Sequence, residues 1–231
     1  MENEREKVLA LLPAYNEAAH LGSVLEEVKK YIDDILVVDD GSKDETASIA
    51  RAAGVNLLSR GYNLGKGQSL KEGYAWALEN GYEALIMLDS DGQHDPACIK
   101  DFLAKYHDTH APLIIGARDY QEIPLRRRIP NKIGKVLFSA AVGQEIPDNQ
   151  SGYRMLNRAL MERMLKSEEA GYHFEVEMIA VCIANNWKIE WVRIPTIYGD
   201  EKSKQNPFDQ IFGFPKMCLK ARRLIQEEKK G

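Results

Sequence analysis

Three polar side chains follow one apolar run at the spacing of a metal site. In ALIMLDSDGQHDP, residues 84–96, Asp89 and Asp91 are separated by one residue, and Gln93 follows at the same interval. On an extended segment, carboxylates at i and i+2 can present oxygens to one hard cation, and an amide carbonyl can add a third ligand. The pattern predicts Mg²⁺ or Mn²⁺ on Asp89, Asp91 and Gln93; a turn of helix-capping acids is the alternative. His94 is expected to support the site or to face solvent rather than to ligate.

Two adjacent acids end a second apolar run. The stretch VVDDGSKDET, residues 37–46, places Asp39 and Asp40 side by side. Helix capping accounts for Ser42 or Asp44, which follow them. It does not account for two neighbouring acids at a sheet edge, because like charges repel unless hydrogen-bond donors or a cation offset them. We therefore expect Asp39 and Asp40 to face a ligand.

A glycine-rich stretch, GYNLGKGQS at residues 61–69, lacks the spacing of a Walker A loop. No GxGxxG follows the first apolar run either, where PAYNE stands at residues 13–17. NTPase and NAD-dependent dehydrogenase functions are therefore disfavoured. A glycine-rich loop that enters a helix can still present backbone N–H groups and Lys66 to an anion, and a plain helix-entry turn is the alternative.

The elements that position these residues follow from the apolar pattern. Runs of strand length alternate with stretches of helical periodicity up to about residue 143, which predicts a doubly wound α/β fold with a mostly parallel sheet. In such sheets, ligands bind where strands end at the carboxyl edge. The polar junctions at 13–17, 39–46 and 89–95 then meet at one edge. They predict a pocket for a phosphorylated, metal-bridged ligand with hydroxyl groups, such as a nucleotide sugar.

The composition of the chain limits the number of domains, the partners and the location that can be expected. The chain has 231 residues, 44% of them hydrophobic, and a net charge of -4, which fits one folded domain and no nucleic-acid partner. Its three cysteines are far apart and odd in number, so we expect neither disulfides nor zinc, and a cytoplasmic location. No signal peptide is expected, and no apolar run approaches the roughly 20 residues needed to span a bilayer.

The motifs taken together resemble glycosyltransferase family 2 with the GT-A fold, and within it dolichol-phosphate mannose synthase-like polyprenyl-phosphate glycosyltransferases. They occur in the order PAYNE, VVDDGSKDET, NLGKGQSLKEGYAWAL, DSDGQHDP and SGYR. The resemblance covers about residues 7–204. It implies one Rossmann-like GT-A domain, 1–204, with helices flanking a mostly parallel central sheet, and an amphipathic helical tail, 205–231.

The resemblance also implies roles for individual residues. A nucleoside pocket would be lined by Pro13, Ala14, Tyr15, Glu17, Asp39 and Asp40. The rest of the donor would lie near Asn63 and Lys66, with Asp89, Asp91 and Gln93 holding the cation on its diphosphate. Catalytic roles would fall to Asp91, Asp148 and Arg154, the last near the phosphates or the acceptor. Glu175 and Glu177 match an acidic helix segment beside the active site, for which a solvated helix face is the alternative.

The implied activity is metal-dependent, inverting transfer of a hexose from a GDP-mannose- or UDP-glucose-type donor to dolichyl or undecaprenyl phosphate. Transfer to a soluble or glycan hydroxyl, with Asp148 as base, is one alternative. A non-catalytic nucleotide-sugar-binding subunit is another. One departure leaves sugar and base open: YGDEKSK has Tyr198 and Glu201 where relatives carry arginine and glycine, so Lys202 and Lys204 are expected to bind phosphate.

Two basic amphipathic segments, 124–143 and 207–226, bear on membrane contact. Basic residues interleaved with apolar and aromatic ones suit binding to an anionic lipid surface. Packing on the domain or on a second subunit explains the same pattern. The first interpretation predicts a peripheral protein on the cytoplasmic face of the membrane; the oligomeric state is left open.

Overall fold

The computed structural model describes residues 6–118, 125–169, 173–197 and 207–228. The strands are β1 (Val8–Ala14), β2 (Ile35–Asp39), β3 (Asn56–Ser59), β4 (Ala84–Met87), β5 (Leu113–Arg118), β6 (Arg154–Asn157) and β7 (Ile189–Ile194). The helices are α1 (Leu21–Val28), α2 (Thr46–Ala52), α3 (Lys66–Glu79), α4 (Ile99–Thr109), α5 (Leu125–Val142), α6 (Arg158–Met164), α7 (His173–Ala184) and α8 (Pro207–Glu228). A short 3-10 turn, Pro96–Cys98, precedes α4.

The strands form one sheet in the order β3-β2-β1-β4-β6-β5-β7. Every pairing is parallel except those of β6, which runs antiparallel to both β4 and β5. In this register Arg154 of β6 lies opposite Met87 of β4 and Ile115 of β5. The predicted α/β fold with a mostly parallel sheet is confirmed. The reversal at β6 brings the segment that precedes this strand to the edge where β4 and β5 end.

Apolar side chains cover both faces of the sheet, which explains the unbroken apolar runs. Successive residues of β1 alternate between the two core clusters, with Leu9 and Leu11 in one and Ala10 and Leu12 in the other. The first cluster includes residues of α3, α6, α7 and α8, and the second includes residues of α1, α2 and α4. Helices therefore flank both faces.

The amphipathic tail packs against the domain in its described part. Met217, Cys218, Ala221 and Ile225 of α8 are buried, and α8 contacts α5 and α7. Packing on the domain, one of the two interpretations of this segment, thus explains its apolar face. Among the residues with described structure, no helix is both long and apolar enough to cross a bilayer.

Candidate functional site

Hydrogen bonds join the polar junctions at the carboxyl edge of the sheet. Ser90 Oγ, just after β4, donates to the carbonyl of Pro13 in β1 at 2.9 Å. The backbone N–H of Glu17 donates to Thr46 Oγ1 at 2.8 Å. The N–H of Lys43 donates to Asn16 Oδ1, also at 2.8 Å. The three predicted junctions therefore form one continuous surface.

A charged cluster lies at the centre of this edge. The Nζ atom of Lys66, the first residue of α3, is 2.5 Å from Asp89 Oδ1 and 3.0 Å from Glu175 Oε1 of α7. Gly152, in the segment before β6, packs directly on the cluster. A Cβ atom at Gly152 would lie 2.8 Å from Asp89 Oδ2, 3.0 Å from Lys66 Nζ and 3.2 Å from Glu175 Oε1. Four distant parts of the chain thus converge here.

The cluster keeps opposite charges in contact. Burial lowers the pKa of Lys66, but the carboxylates of Asp89 and Glu175 raise it by a larger amount, so the pKa lies well above its ordinary value. Burial raises the pKa of Asp89, but the ammonium of Lys66 lowers it by more, and the net shift is downward. At neutral pH the site therefore holds an ammonium group against carboxylates.

His94 supports Asp89 from behind, in one of the two positions expected for it. The backbone N–H of Asp89 donates to His94 Nδ1 at 3.0 Å. The imidazole stacks on Tyr153, with ring centroids 4.9 Å apart, and the Tyr153 hydroxyl donates to the carbonyl of Asp95 at 3.2 Å. Burial lowers the pKa of His94, which keeps the ring neutral and Nδ1 an acceptor. The ring thus fixes the backbone that carries Asp89.

The predicted cation ligands lie on the turn after β4. Gly92 has φ +77°, and the N–H of Gln93 donates to Asp91 Oδ1 at 2.9 Å. Across the described ranges there is no preformed cluster of three or more acidic, histidine or cysteine side chains suited to a metal. Two carboxylates and an amide fit Mg²⁺ or Mn²⁺ in a site that substrate phosphate oxygens and water complete. The ammonium of Lys66 already sits as a cation against Asp89.

Asp39 is engaged by the chain itself. Its Oδ1 accepts from the N–H of Ser42 at 3.0 Å, and its Oδ2 accepts from the Ser59 hydroxyl at 2.8 Å. The side chain is buried at the ends of β2 and β3. These two donors offset the charge that suggested a ligand contact.

Asp40 organises the loop that enters α3. It accepts from the N–H groups of Leu64 and Gly65, both at 2.8 Å, and pairs with Arg60 at 2.5 Å. Arg60 also pairs with Glu72 of α3 at 2.6 Å. In this structure the carboxylate holds the glycine-rich loop in place, which is a different task from the predicted contact with the nucleoside.

Asp148, the predicted base for a hydroxyl acceptor, is paired with an arginine. It is fully buried, and its Oδ2 and Oδ1 accept from Arg118 Nε at 2.7 Å and Nη2 at 3.0 Å. The N–H of Gln150 also donates to Oδ1 at 2.9 Å. Both oxygens are engaged by donors of the chain, so Asp148 would have to give up a contact with Arg118 before it could accept the proton of an acceptor hydroxyl.

Arg154, predicted to lie near the phosphates or the acceptor, is enclosed by backbone carbonyls. It is fully buried, and its guanidinium donates to the carbonyls of Ser151 at 2.8 Å and of Glu175. It also donates to the carbonyl of Asn149 at 3.4 Å. The side chain therefore braces the segment before β6 against the first turn of α7, which carries Glu175.

The remaining predicted residues occupy several positions. Pro13 and Ala14 end β1, Glu17 is buried behind the edge, and Tyr15 and Asn63 are exposed on it. Glu177 points to α8, where its Oε2 is 3.7 Å from Lys220 Nζ, so only one residue of the acidic helix segment joins the cluster. Lys202 and Lys204, together with Tyr198 and Glu201, lie outside the described residues.

Two arginines of this region were missed by sequence reasoning. Arg60 follows β3 and Arg118 ends β5, and neither belongs to a recognisable motif. Their acidic partners, Asp40 and Asp148, stand 20 and 30 positions away along the chain. Only the sheet order brings these pairs together.

Comparisons with known proteins agree with this geometry. The family model for glycosyl transferase family 2 matches residues 10–165. An undecaprenyl-phosphate mannosyltransferase from Micrococcus luteus is 31% identical over 186 residues, which cover 74% of this chain and 76% of that protein. A UDP-N-acetylglucosamine–dolichyl-phosphate N-acetylglucosaminyltransferase from Methanococcus voltae is 26% identical over 232 residues, covering 90% of this chain and 92% of that protein.

The fold has solved counterparts. The crystal structure of glucosyl-3-phosphoglycerate synthase from Mycobacterium tuberculosis in complex with Mn²⁺, UDP and glucosyl-3-phosphoglycerate superposes with a TM-score of 0.71. The match covers 98% of this chain and 81% of that one at 18% identity, so it establishes the shared GT-A fold. Family model, relatives and fold agree, and the chain belongs to glycosyl transferase family 2 as a glycosyltransferase.

Proposed function

We propose that this glycosyltransferase moves a hexose from a nucleotide sugar to a polyprenyl phosphate, with a divalent cation bound to the donor's diphosphate. The observation that carries the proposal is the cluster of Lys66, Asp89 and Glu175 at the carboxyl end of β4. It offers carboxylate for a cation and ammonium for a phosphate, side by side, where α/β sheets bind their ligands.

The nucleoside half of the donor is assigned to the edge formed by β1 and β2. Tyr15 is partly exposed there and offers a ring for contact with a base. Asp39 and Asp40 shape this edge through the loops that they hold. The sugar stays open between mannose and a glucose type, since the relatives' names include both a mannosyltransferase and a UDP-N-acetylglucosamine-dependent enzyme.

The cation is assigned to Asp89, Asp91 and Gln93. When bound, Mg²⁺ or Mn²⁺ would supply positive charge where negative charge develops on the departing nucleoside diphosphate. Lys66 supplies a second positive charge at the same place, and its raised pKa keeps it protonated. His94 accepts a hydrogen bond from the backbone N–H of Asp89, and Gly152 lies close to the carboxylate. A solved neighbour of the same fold was crystallised with Mn²⁺ and UDP, which supports the combination of a divalent cation and a nucleotide.

The proposed acceptor is supported by the pairing of Asp148 with Arg118 and by the names of the relatives. A phosphate monoester has its second pKa near 6, so it is ionised at neutral pH and attacks without a strong base. The enclosure of Asp148 by Arg118 suits such an acceptor better than a hydroxyl. The named relatives act on undecaprenyl and dolichyl phosphate. Attack opposite the departing diphosphate would invert the anomeric carbon.

Contact with a lipid acceptor requires a peripheral position at the membrane. Val136 and Leu137 of α5 are half exposed, at 58% and 50%. They lie on the first of the two basic amphipathic segments. We expect the protein to float with vesicles containing anionic lipid at low salt, and failure to float would favour transfer to a soluble or glycan hydroxyl.

A transfer assay tests the proposal directly. The protein would be incubated with Mn²⁺, undecaprenyl or dolichyl phosphate in detergent, and radiolabelled GDP-mannose, UDP-glucose or UDP-N-acetylglucosamine in parallel. We expect label in the organic phase with one donor, and none after chelation or in Asp89→Ala. Transfer to water-soluble acceptors alone would refute the lipid acceptor, and binding without turnover would favour a non-catalytic subunit.

A further inference from the structure

The ammonium of Lys66 is paired with Asp89, the carboxylate that is expected to bind a divalent cation. Its Nζ lies 2.5 Å from Asp89 Oδ1, and the imidazole Nε2 of His94 lies 3.9 Å from Asp89 Oδ2. One oxygen is therefore in an ion pair, and the other lies near the His94 ring. A divalent cation that binds Asp89 Oδ1 therefore competes with the ammonium for this oxygen.

Electrostatics makes the two cations rivals. An ammonium and a divalent ion on one carboxylate would lie within a few ångströms of each other, where like charges repel strongly in a partly buried site. The pair is partly shielded from water, since the Lys66 and Asp89 side chains are 20% and 31% exposed. A free metal ion must therefore displace Lys66 without any new anion to receive it.

A diphosphate changes this balance. Lys66 begins α3 on a flexible four-carbon stem, and Glu175 at 3.0 Å keeps the ammonium near the site when it leaves Asp89. A donor that arrives with a cation offers phosphate oxygens to the released ammonium. Cation and nucleotide then assist each other's binding, and by linkage each raises the affinity for the other by the same factor.

We propose that Lys66 is a built-in counter-cation that blocks Asp89 until the donor's diphosphate takes it over, so that metal and donor bind together. The inference rests on the proposed function, because it requires the predicted metal site. It assigns Lys66 a second task beyond contact with the donor: it keeps the acidic site from capturing divalent ions in the absence of substrate.

Titration of Mn²⁺ without nucleotide tests the competition. Electron paramagnetic resonance measures free Mn²⁺ against the wild type and the double variant Lys66→Met/Glu175→Gln, which removes the ammonium but leaves the net charge unchanged. We expect the double variant to bind Mn²⁺ about tenfold more tightly, equivalent to about 1.4 kcal/mol. Lys66→Arg keeps the positive charge and should bind Mn²⁺ as weakly as the wild type.

A second lysine–glutamate pair provides the matched control. Lys220 and Glu177 are 3.7 Å apart on α8 and α7. The variant Lys220→Met/Glu177→Gln makes the same chemical change away from Asp89 and should leave the affinity for Mn²⁺ unchanged. Circular dichroism checks the fold of each variant, and Lys66→Gln replaces the double variant if that one does not fold.

Two results separate the possible failures. UDP and GDP should each be added, and the effective one should raise Mn²⁺ affinity more in the wild type than in Lys66→Met/Glu175→Gln. If Mn²⁺ binds the wild type with nucleotide but the variants gain nothing without it, the competition is refuted and the metal site stands. If no protein binds Mn²⁺ even with nucleotide, the metal site and the proposed function both fail.

Discussion

Replacement of Gly152 by alanine is the sharpest test of the charged cluster. A Cβ atom there would lie 2.8 Å from Asp89 Oδ2, which is 0.6 Å inside the 3.4 Å at which ordinary contact begins. Its distances of 3.0 Å to Lys66 Nζ and 3.2 Å to Glu175 Oε1 are also short. These two side chains are long and can adjust, whereas Asp89 is short and its backbone is fixed by His94. The strain therefore falls on Asp89.

Gly152→Ala should reduce catalytic efficiency more strongly than stability. Displacement of a group in the active site by a fraction of an ångström to 1 Å can cost up to about 100-fold in rate, so we expect Gly152→Ala to lose about 10- to 100-fold in kcat/KM. A single added methyl that charged side chains can partly accommodate should cost about 1 kcal/mol of unfolding free energy. For a domain of this size that corresponds to a Tm lower by about 2–4 °C.

Gly22→Ala is the matched control. A Cβ at Gly22, in α1, would lie 3.7 Å from Ile49 Cγ2, an ordinary contact. Alanine should leave activity unchanged there and stabilise the helix by up to about 1 kcal/mol. Sugar-transfer kinetics and thermal unfolding of the two variants would be compared. Gly152→Ala with activity within twofold of Gly22→Ala would show that the packing on Asp89 has no catalytic consequence.

Three further predictions concern the charged residues around the site. Glu175→Gln should lower the rate of sugar transfer at least about tenfold, because it removes one partner of the Lys66 ammonium. Glu177 faces α8 instead, so Glu177→Gln should leave the rate unchanged. Equal losses in the two variants would contradict the placement of Glu175 in the charged cluster. Arg118→Met should cost about 3 kcal/mol in denaturant unfolding, because it leaves Asp148 buried without its partner, and a loss below about 1 kcal/mol would refute that pairing. Folding lowers the pKa of Asp89, so the stability that this carboxylate contributes is present above its unfolded pKa near 3.9 and is lost as the pH falls toward its folded pKa. Asp89→Asn should therefore flatten the dependence of the unfolding free energy on pH below about pH 4. A variant with the same pH dependence as the wild type would contradict the lowered pKa.

The sequence predicted the fold class because buried parallel strands leave an unbroken apolar signature. Runs such as those of β1, β2 and β4 are apolar on both faces, and each is followed by a helical pattern. The position of β6 was beyond this reasoning. Its four residues carry no clear period, and its place between β4 and β5 depends on pairings across long stretches of chain.

The site shows the same division. The convergence of three polar junctions followed from the rule that parallel strands end at one edge. The partners of the acids did not follow, because Asp40 and Asp148 are paired with arginines that no local pattern marks. Arg154 was expected near the phosphates or the acceptor because its segment resembles the family's, but that resemblance does not reveal burial. Its backbone partners become visible only once β6 and α7 are placed.

The antiparallel strand also sets where this chain can change length. Met87 and Arg154 are partners in the ladder, and continuing that pairing by two positions places Asp89 opposite Gly152. Whether these two residues lie opposite each other therefore depends on the number of residues in each of two segments that run in opposite directions. One residue inserted between Met87 and Asp89, or between Gly152 and Arg154, would shift that count and separate the carboxylate from the glycine. Insertions between α4 and β5 leave the count intact, so variation in length is expected to be tolerated there and not beside the ladder.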